Sequence, residues 1–226
     1  MRLILIRHGQ TPNNVAGALD TAFPGAGLTD LGHAQAAALP GALADEDVSA
    51  IYASPLVRTQ LTGDPLAAER GLEVYVREGL EEISAGALEM RSDDEAVQDY
   101  IGRLGRWMQR DLAHGVPGGQ TGHDFYDRYD RAVTAIADEH GRDDTVVAFS
   151  HGAAISVYTA LVAQVDPEEA AGLWIHNTGM AMLEGHPDDG WELVRWSSEP
   201  LGGAHLNDTA AHDVTGDEVD EVVDPD

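Results

Sequence analysis

Two short segments carry the residue types best suited to chemistry. One is Arg7-His8-Gly9-Gln10-Thr11, with Asn14 three residues on; the other is Ser150-His151-Gly152. Each histidine lies just past a short apolar run, residues 3–6 and 145–149, and each is followed by glycine. Glycine there lets backbone and ligand approach closely and permits dihedrals closed to other residues. A third segment, Ser54-Pro55-Leu56-Val57-Arg58-Thr59, follows the apolar run 48–52 and places Arg58 at the start of a helix. Arginine offers planar, bidentate donors to phosphate oxygens and stays charged at any working pH. A helix beginning near Gly152 adds free N–H groups and the positive end of its dipole. Two arginines, two histidines and a helix N-terminus in one pocket make a phosphate site. The same arginines disfavour a bound cation, so no metal is expected at these histidines.

Such a pocket needs elements that deliver all these residues to one place. Further apolar runs occur at 73–76, 181–183 and 191–196, and helix-like stretches at 30–43, 56–70 and 124–140. Strands alternating with helices predict an α/β three-layer sandwich, a mostly parallel sheet with helices on both faces. In such a sheet ligands gather beyond the carboxyl ends of the strands, where both histidines would stand. At 226 residues, 43% of them hydrophobic, the chain can bury one substantial core. The expected organisation is a single domain over 1–206, a cap-like insertion at about 90–122, and an acidic, solvated tail at 207–226. Thirteen basic residues, all arginine, stand against forty acidic ones, a net charge of −27. That field repels nucleic-acid backbones and anionic lipid surfaces. Without cysteine there is no disulfide, thiolate nucleophile or Cys-ligated metal. No apolar run approaches the length of a membrane span, and a soluble, cytoplasmic protein is expected.

Six motifs occur in a telling order: Arg7-His8-Gly9-Gln10-Thr11 with Asn14, Leu28-Thr29-Asp30-Leu31-Gly32, Ser54 to Thr59, Leu80-Glu81-Glu82-Ile83 with Gly86, Gly118-Gly119-Gln120-Thr121, and Ser150-His151-Gly152. Over roughly residues 1–200 the chain thereby resembles the histidine phosphatase superfamily, with its phosphoglycerate-mutase-like fold. The resemblance implies phosphomonoester hydrolysis without metal or cofactor. His8 would be the nucleophile, passing through phosphohistidine, and Glu82 the acid that protonates the leaving oxygen. His151, Arg7 and Arg58 would hold the phosphoryl oxygens, Asn14 would add a neutral donor, and Gln10 and Gly152 would line the site. The partner implied is a small phosphorylated substrate; assembly as a homodimer is left open.

Rival readings stand beside these. Glu82 competes with Glu78, Glu81 and Glu89, and the family spacing after Leu80 and before Gly86 selects it. A phosphoglycerate mutase would use the same pocket, but Glu82-Ile83-Ser84-Ala85-Gly86 lacks the Arg and Tyr that mutases of the family carry after the acid. Leu88-Glu89-Met90 and Gln120-Thr121 also depart from the family pattern, which puts the substrate in question more than the reaction. A non-catalytic module binding a phospho-ligand or a partner is the alternative of another class. In the insertion Arg103, Arg106 and Arg110 share a helical face, as a solvated surface or as a cap for a second anionic group of the substrate.

Overall fold

Every residue from Leu3 to Ile6 is completely buried in the computed structural model of the chain, which describes residues 1–208, 210–211 and 213–216. They form β1 (Arg2–Arg7), followed by α1 (Pro12–Val15), α2 (Asp30–Ala42), β2 (Val48–Ala53), α3 (Val57–Arg70) and β3 (Val74–Val76). Then come α4 (Asp94–Met108), α5 (Gly122–Asp138), β4 (Thr145–Ser150), α6 (Gly152–Val162), α7 (Pro167–Ala170), β5 (Met180–His186) and β6 (Gly190–Ser197). Among the described residues the strands make one sheet of order β3-β2-β4-β1-β5-β6. β1, β2, β3 and β4 are mutually parallel, whereas β5 and β6 run antiparallel as a hairpin at one side.

Side chains on a strand alternate between the two faces, and here both faces are buried. Leu3 and Leu5 join Val146 and Ala148 in a core completed by residues of α4, α5 and α6. Ile4 and Ile6 join Val147 and Phe149 on the other face, against Leu39 of α2 and Leu66 of α3. Each such side chain, fully removed from water, contributes roughly 1.5–3 kcal/mol. The central pair β1 and β4 is thus clamped from both sides, which holds the carboxyl ends of both strands rigid.

Two differences from the sequence expectations concern the periphery. The insertion is more than a cap: α4 buries Val97, Tyr100, Ile101, Leu104 and Trp107, and Trp107 stacks on Phe125 of α5. The expected tail begins at Asn207, yet Asp213 and Val214 are buried, Val214 within the larger core. Residues 217–226 of that expectation lie outside the described residues.

Candidate active site

β1 and β4 are parallel with Arg7 opposite Ser150, so His8 and His151 leave the sheet side by side. Their rings meet edge to face with centroids 5.3 Å apart. The His8 amide donates to the Ser150 carbonyl at 3.0 Å, which ties the two strand ends together. His8 Nδ1 faces the Gly9 carbonyl oxygen at 2.8 Å. A carbonyl only accepts, so Nδ1 carries the proton and the Nε2 lone pair is left free. Burial holds the His8 pKa well below its ordinary 6.5, and the charges of Arg58 and Arg7 lower it further. The ring is therefore neutral, with its Nε2 lone pair available.

His151 is completely buried, and its Nε2 meets Ser54 Oγ at 2.8 Å. Ser54 Oγ accepts from the Leu56 amide and also lies 3.0 Å from Thr59 Oγ1, whose own proton is directed at the Ser54 and Leu56 carbonyls. His151 Nδ1 has no hydrogen-bond partner among the described residues. Burial, then Arg58 and His8, keep this imidazole neutral as well, well below 6.5. Arg58, second residue of α3, is anchored by Nη2 on the Asp20 carbonyl at 2.9 Å. Its Nε and Nη1 are buried and, like Arg7 Nε, lack a hydrogen-bond partner among the described residues. Leaving a buried donor unpaired costs about 1–3 kcal/mol, more for a charged group. Three such N–H groups lie in one cleft with a free imidazole nitrogen, an arrangement suited to an anion.

Glu82 comes from the loop after β3. It is 9% exposed, and its Oε1 accepts from the Ile83 and Ala154 amides, both at 2.8 Å. Burial raises its pKa above the ordinary 4.5; those amides and the charges of Arg58 and Arg7 pull the other way and do not prevail. Two of the three rival acids are held by other groups: Glu81 pairs with Arg128 at 2.9 Å, and Glu89 accepts from the amides of Thr21 and Ala22. Arg128 also donates to the carbonyls of Gly79, Glu81 and Glu82, which pins the loop that carries the acid.

Arg7, His8, Asn14, Arg58 and Glu82 line one cleft with about 40 Å³ of open space. His151 stands behind His8, and Gly152 begins α6 beside Arg7 Nε. Gln10 is directed away from this cleft: its amide donates to Asp208 and its carbonyl accepts from Thr29. A wider cleft of about 720 Å³ shares Thr21 and Glu82 and is lined further by Arg77, Arg128 and Arg131. Neither lining includes Arg103, Arg106 or Arg110; Arg103 is spent on the Gly115 carbonyl and Asp99. Two cleft residues carried no signal in the sequence. Tyr100 of α4 lines the cleft and donates to the Ile83 carbonyl at 2.7 Å. Asp213 lies across Arg7 in two hydrogen bonds of 2.6 Å. No group of three or more His, Asp or Glu able to hold a metal occurs among the described residues. No helix among the described residues is long and apolar enough to cross a membrane.

Comparison with known proteins gives a consistent picture. The model of the histidine phosphatase superfamily (branch 1) matches residues 3–199. A PE-PGRS family protein of Mycobacterium tuberculosis is 34% identical over 216 residues, which cover 89% of this chain but only 37% of that protein. The chain therefore spans little more than a third of that relative's length. Phosphoserine phosphatase 1 of Hydrogenobacter thermophilus is 29% identical over 163 residues, covering 72% of this chain and 76% of that one. Among solved structures, mycobacterial glucosyl-3-phosphoglycerate phosphatase complexed with VO3 matches with a TM-score of 0.75 at 26% identity, covering 88% of this chain and 99% of the other.

Proposed function

Given that the chain belongs to the histidine phosphatase superfamily (branch 1), we propose that it hydrolyses small phosphorylated metabolites through a phosphohistidine on His8, without metal. The observation that carries this reading is the free Nε2 of a neutral, buried His8 in one cleft with unpaired donors on Arg7 and Arg58. His8 Nε2 attacks phosphorus in line, the P–N bond forms and the ester P–O bond breaks. The charge spread over the equatorial oxygens is met by Arg7 Nε and Arg58 Nε and Nη1, donors already in place before the reaction, with His151 beside them. Glu82, kept protonated to higher pH by burial, gives its proton to the leaving oxygen. As a carboxylate it then takes a proton from water. The water oxygen attacks phosphorus, the P–N bond breaks, and phosphate leaves a neutral His8.

The leaving group would exit into the wider cleft beside Glu82, whose roughly 720 Å³ suits a small polar molecule. A net charge of −27 disfavours a nucleic-acid partner, and a small phosphate ester fits the donors of the cleft. The test is phosphate release from an aryl phosphate and a panel of phosphorylated metabolites in the presence of EDTA, with an acid-labile, base-stable phosphoenzyme sought in parallel after an alkaline quench. Release that His8→Ala lowers by several orders of magnitude supports the reading. Transfer of the phosphoryl group between hydroxyls without release would make the chain a mutase, and binding without either reaction would make it a phospho-ligand module.

A further inference from the structure

The described end of the chain lies in the phosphate site. Asp213 is 6% exposed and lines the cleft together with Val214 and Thr215. Its two carboxylate oxygens accept from Arg7 Nη1 and Nη2, each at 2.6 Å, and Asn14 Nδ2 stands 3.5 Å from Oδ1. Arg7 and Asn14 are two of the groups assigned to the phosphoryl oxygens. A carboxylate forked by arginine has the charge, the planar acceptors and the spacing that make arginine choose phosphate. Thr215 reaches the other part of the site: a Cβ placed on Gly152, first residue of α6, would lie 2.4 Å from Thr215 Oγ1 and 3.1 Å from Arg7 Nε. Val214, 9% exposed, belongs to the larger core and fixes the segment between these two contacts.

We propose that Asp213 is an intramolecular carboxylate ligand of the phosphate site, competing with the phosphoryl group for Arg7 and Asn14. The inference rests on the assignment of this pocket to phosphate. While Asp213 is in place, Arg7 Nη1 is filled by Asp213 and by the Ile175 carbonyl at 2.7 Å, so only the Nε side of the guanidinium is left for an incoming anion. That anion would also meet a like charge at close range. A phosphoryl group binds fully once the carboxylate has left, and its apparent affinity is reduced by the fraction of molecules in which the site is open. If about one molecule in ten is open, removing the competitor tightens binding about tenfold.

The experiment compares the full chain with Asp213→Asn, which keeps the shape of the side chain and removes its charge. Inorganic phosphate is titrated by calorimetry, a readout that needs no turnover, and KM for an aryl phosphate is measured in parallel. The expected result is a dissociation constant for phosphate about tenfold lower in the variant, with KM falling by a similar factor. A second variant, Val214→Asp, leaves Asp213 intact but places a charge in the core and so drives the segment out; it should shift phosphate binding the same way. An unchanged or weaker affinity for phosphate in both variants overturns the proposal. So does a fall in kcat at constant KM in Asp213→Asn, since Asp213 would then be orienting Arg7. If the parent chain binds phosphate but hydrolyses no ester, the hydrolytic reading fails while the calorimetric comparison still decides this one.

Discussion

Glu82 caps the helix that His151 precedes: its Oε1 accepts from the Ala154 amide at 2.8 Å and its Oε2 from the Ala153 amide at 3.2 Å. One side chain therefore lines the cleft with His8 and also satisfies two of the orphan donors at the start of α6. A carboxylate is favoured there by the helix dipole, yet burial outweighs that effect and raises the pKa. The proton of Glu82 is thus held on a group whose surroundings are ready for its loss.

The pH dependence follows. Between the ordinary 4.5 and its raised folded value, Glu82 is protonated in the folded chain and ionised in the unfolded one. The folded state then binds more protons, so this group's contribution to stability declines as pH rises through that window. Glu82→Gln should lessen the decline, read from urea midpoints between pH 4.5 and 7. It should also slow alkyl phosphates more than aryl phosphates, because only poor leaving groups need the proton. Equal slowing of both classes would reassign the acid.

The histidines act in the opposite sense. His8 and His151 stay neutral in the folded chain well below pH 6.5, while in the unfolded chain each takes up a proton near that value. Stability is then lost as pH falls below 6.5, by up to about 1.4 kcal/mol per pH unit for each ring. His8→Gln removes one of these protons, and its urea midpoint should fall less steeply from pH 6.5 to 5 than that of the parent. Parallel slopes would mean that His8 titrates normally in the folded state.

Arg106 is exposed on α4 and lines neither cleft. Arg106→Glu should leave the ranking of phosphorylated acids, bisphosphates and sugar monophosphates unchanged in kcat/KM. A selective loss for substrates with a second anionic group would return the insertion to the role of a specificity cap.

Gly32 lies so close to the first catalytic loop that a Cβ there would be 2.2 Å from the Gln10 carbonyl oxygen and 3.0 Å from its nitrogen. Both neighbours are backbone, so the strain cannot be relieved by turning a side chain. Gly32→Ala should destabilise the chain by roughly 1–3 kcal/mol. It should also lower activity beyond what stability explains, since Gln10 lies two residues from His8. A thermal midpoint within 1 °C of the parent, an order-of-magnitude threshold, would show that α2 can shift freely.

The position of His8 and His151 was legible because a strand end followed by glycine is a local pattern, and parallel pairing brings two such ends together. Glu82 was chosen among four nearby acids by motif spacing; of its rivals, Glu81 is held by Arg128 and Glu89 by the Thr21 and Ala22 amides. The arginines of the insertion left two readings open because a repeat of charge on one helix face looks the same whether it meets solvent or substrate. The opposite face, with Val97, Tyr100, Ile101, Leu104 and Trp107, announced a core helix in the same residues. Asp213 had no local mark, being one acid among many in an acidic stretch. Its role comes from a contact with a residue some two hundred positions earlier, which no window of sequence contains.

The pairing of β1 with β4 has a consequence for how the chain is made. Arg2 pairs with Thr145, so β1 leaves the ribosome about 140 residues before its central partner exists. At roughly 5–20 residues per second that interval is on the order of 7–30 s. During it Leu3, Ile4, Leu5 and Ile6, all destined for complete burial, have no native strand on the β4 side. The His8 ring at the end of that strand can be positioned only once β4 has emerged, so activity in a nascent-chain series should switch on late and all at once, with strand pairing rather than helix formation setting the moment.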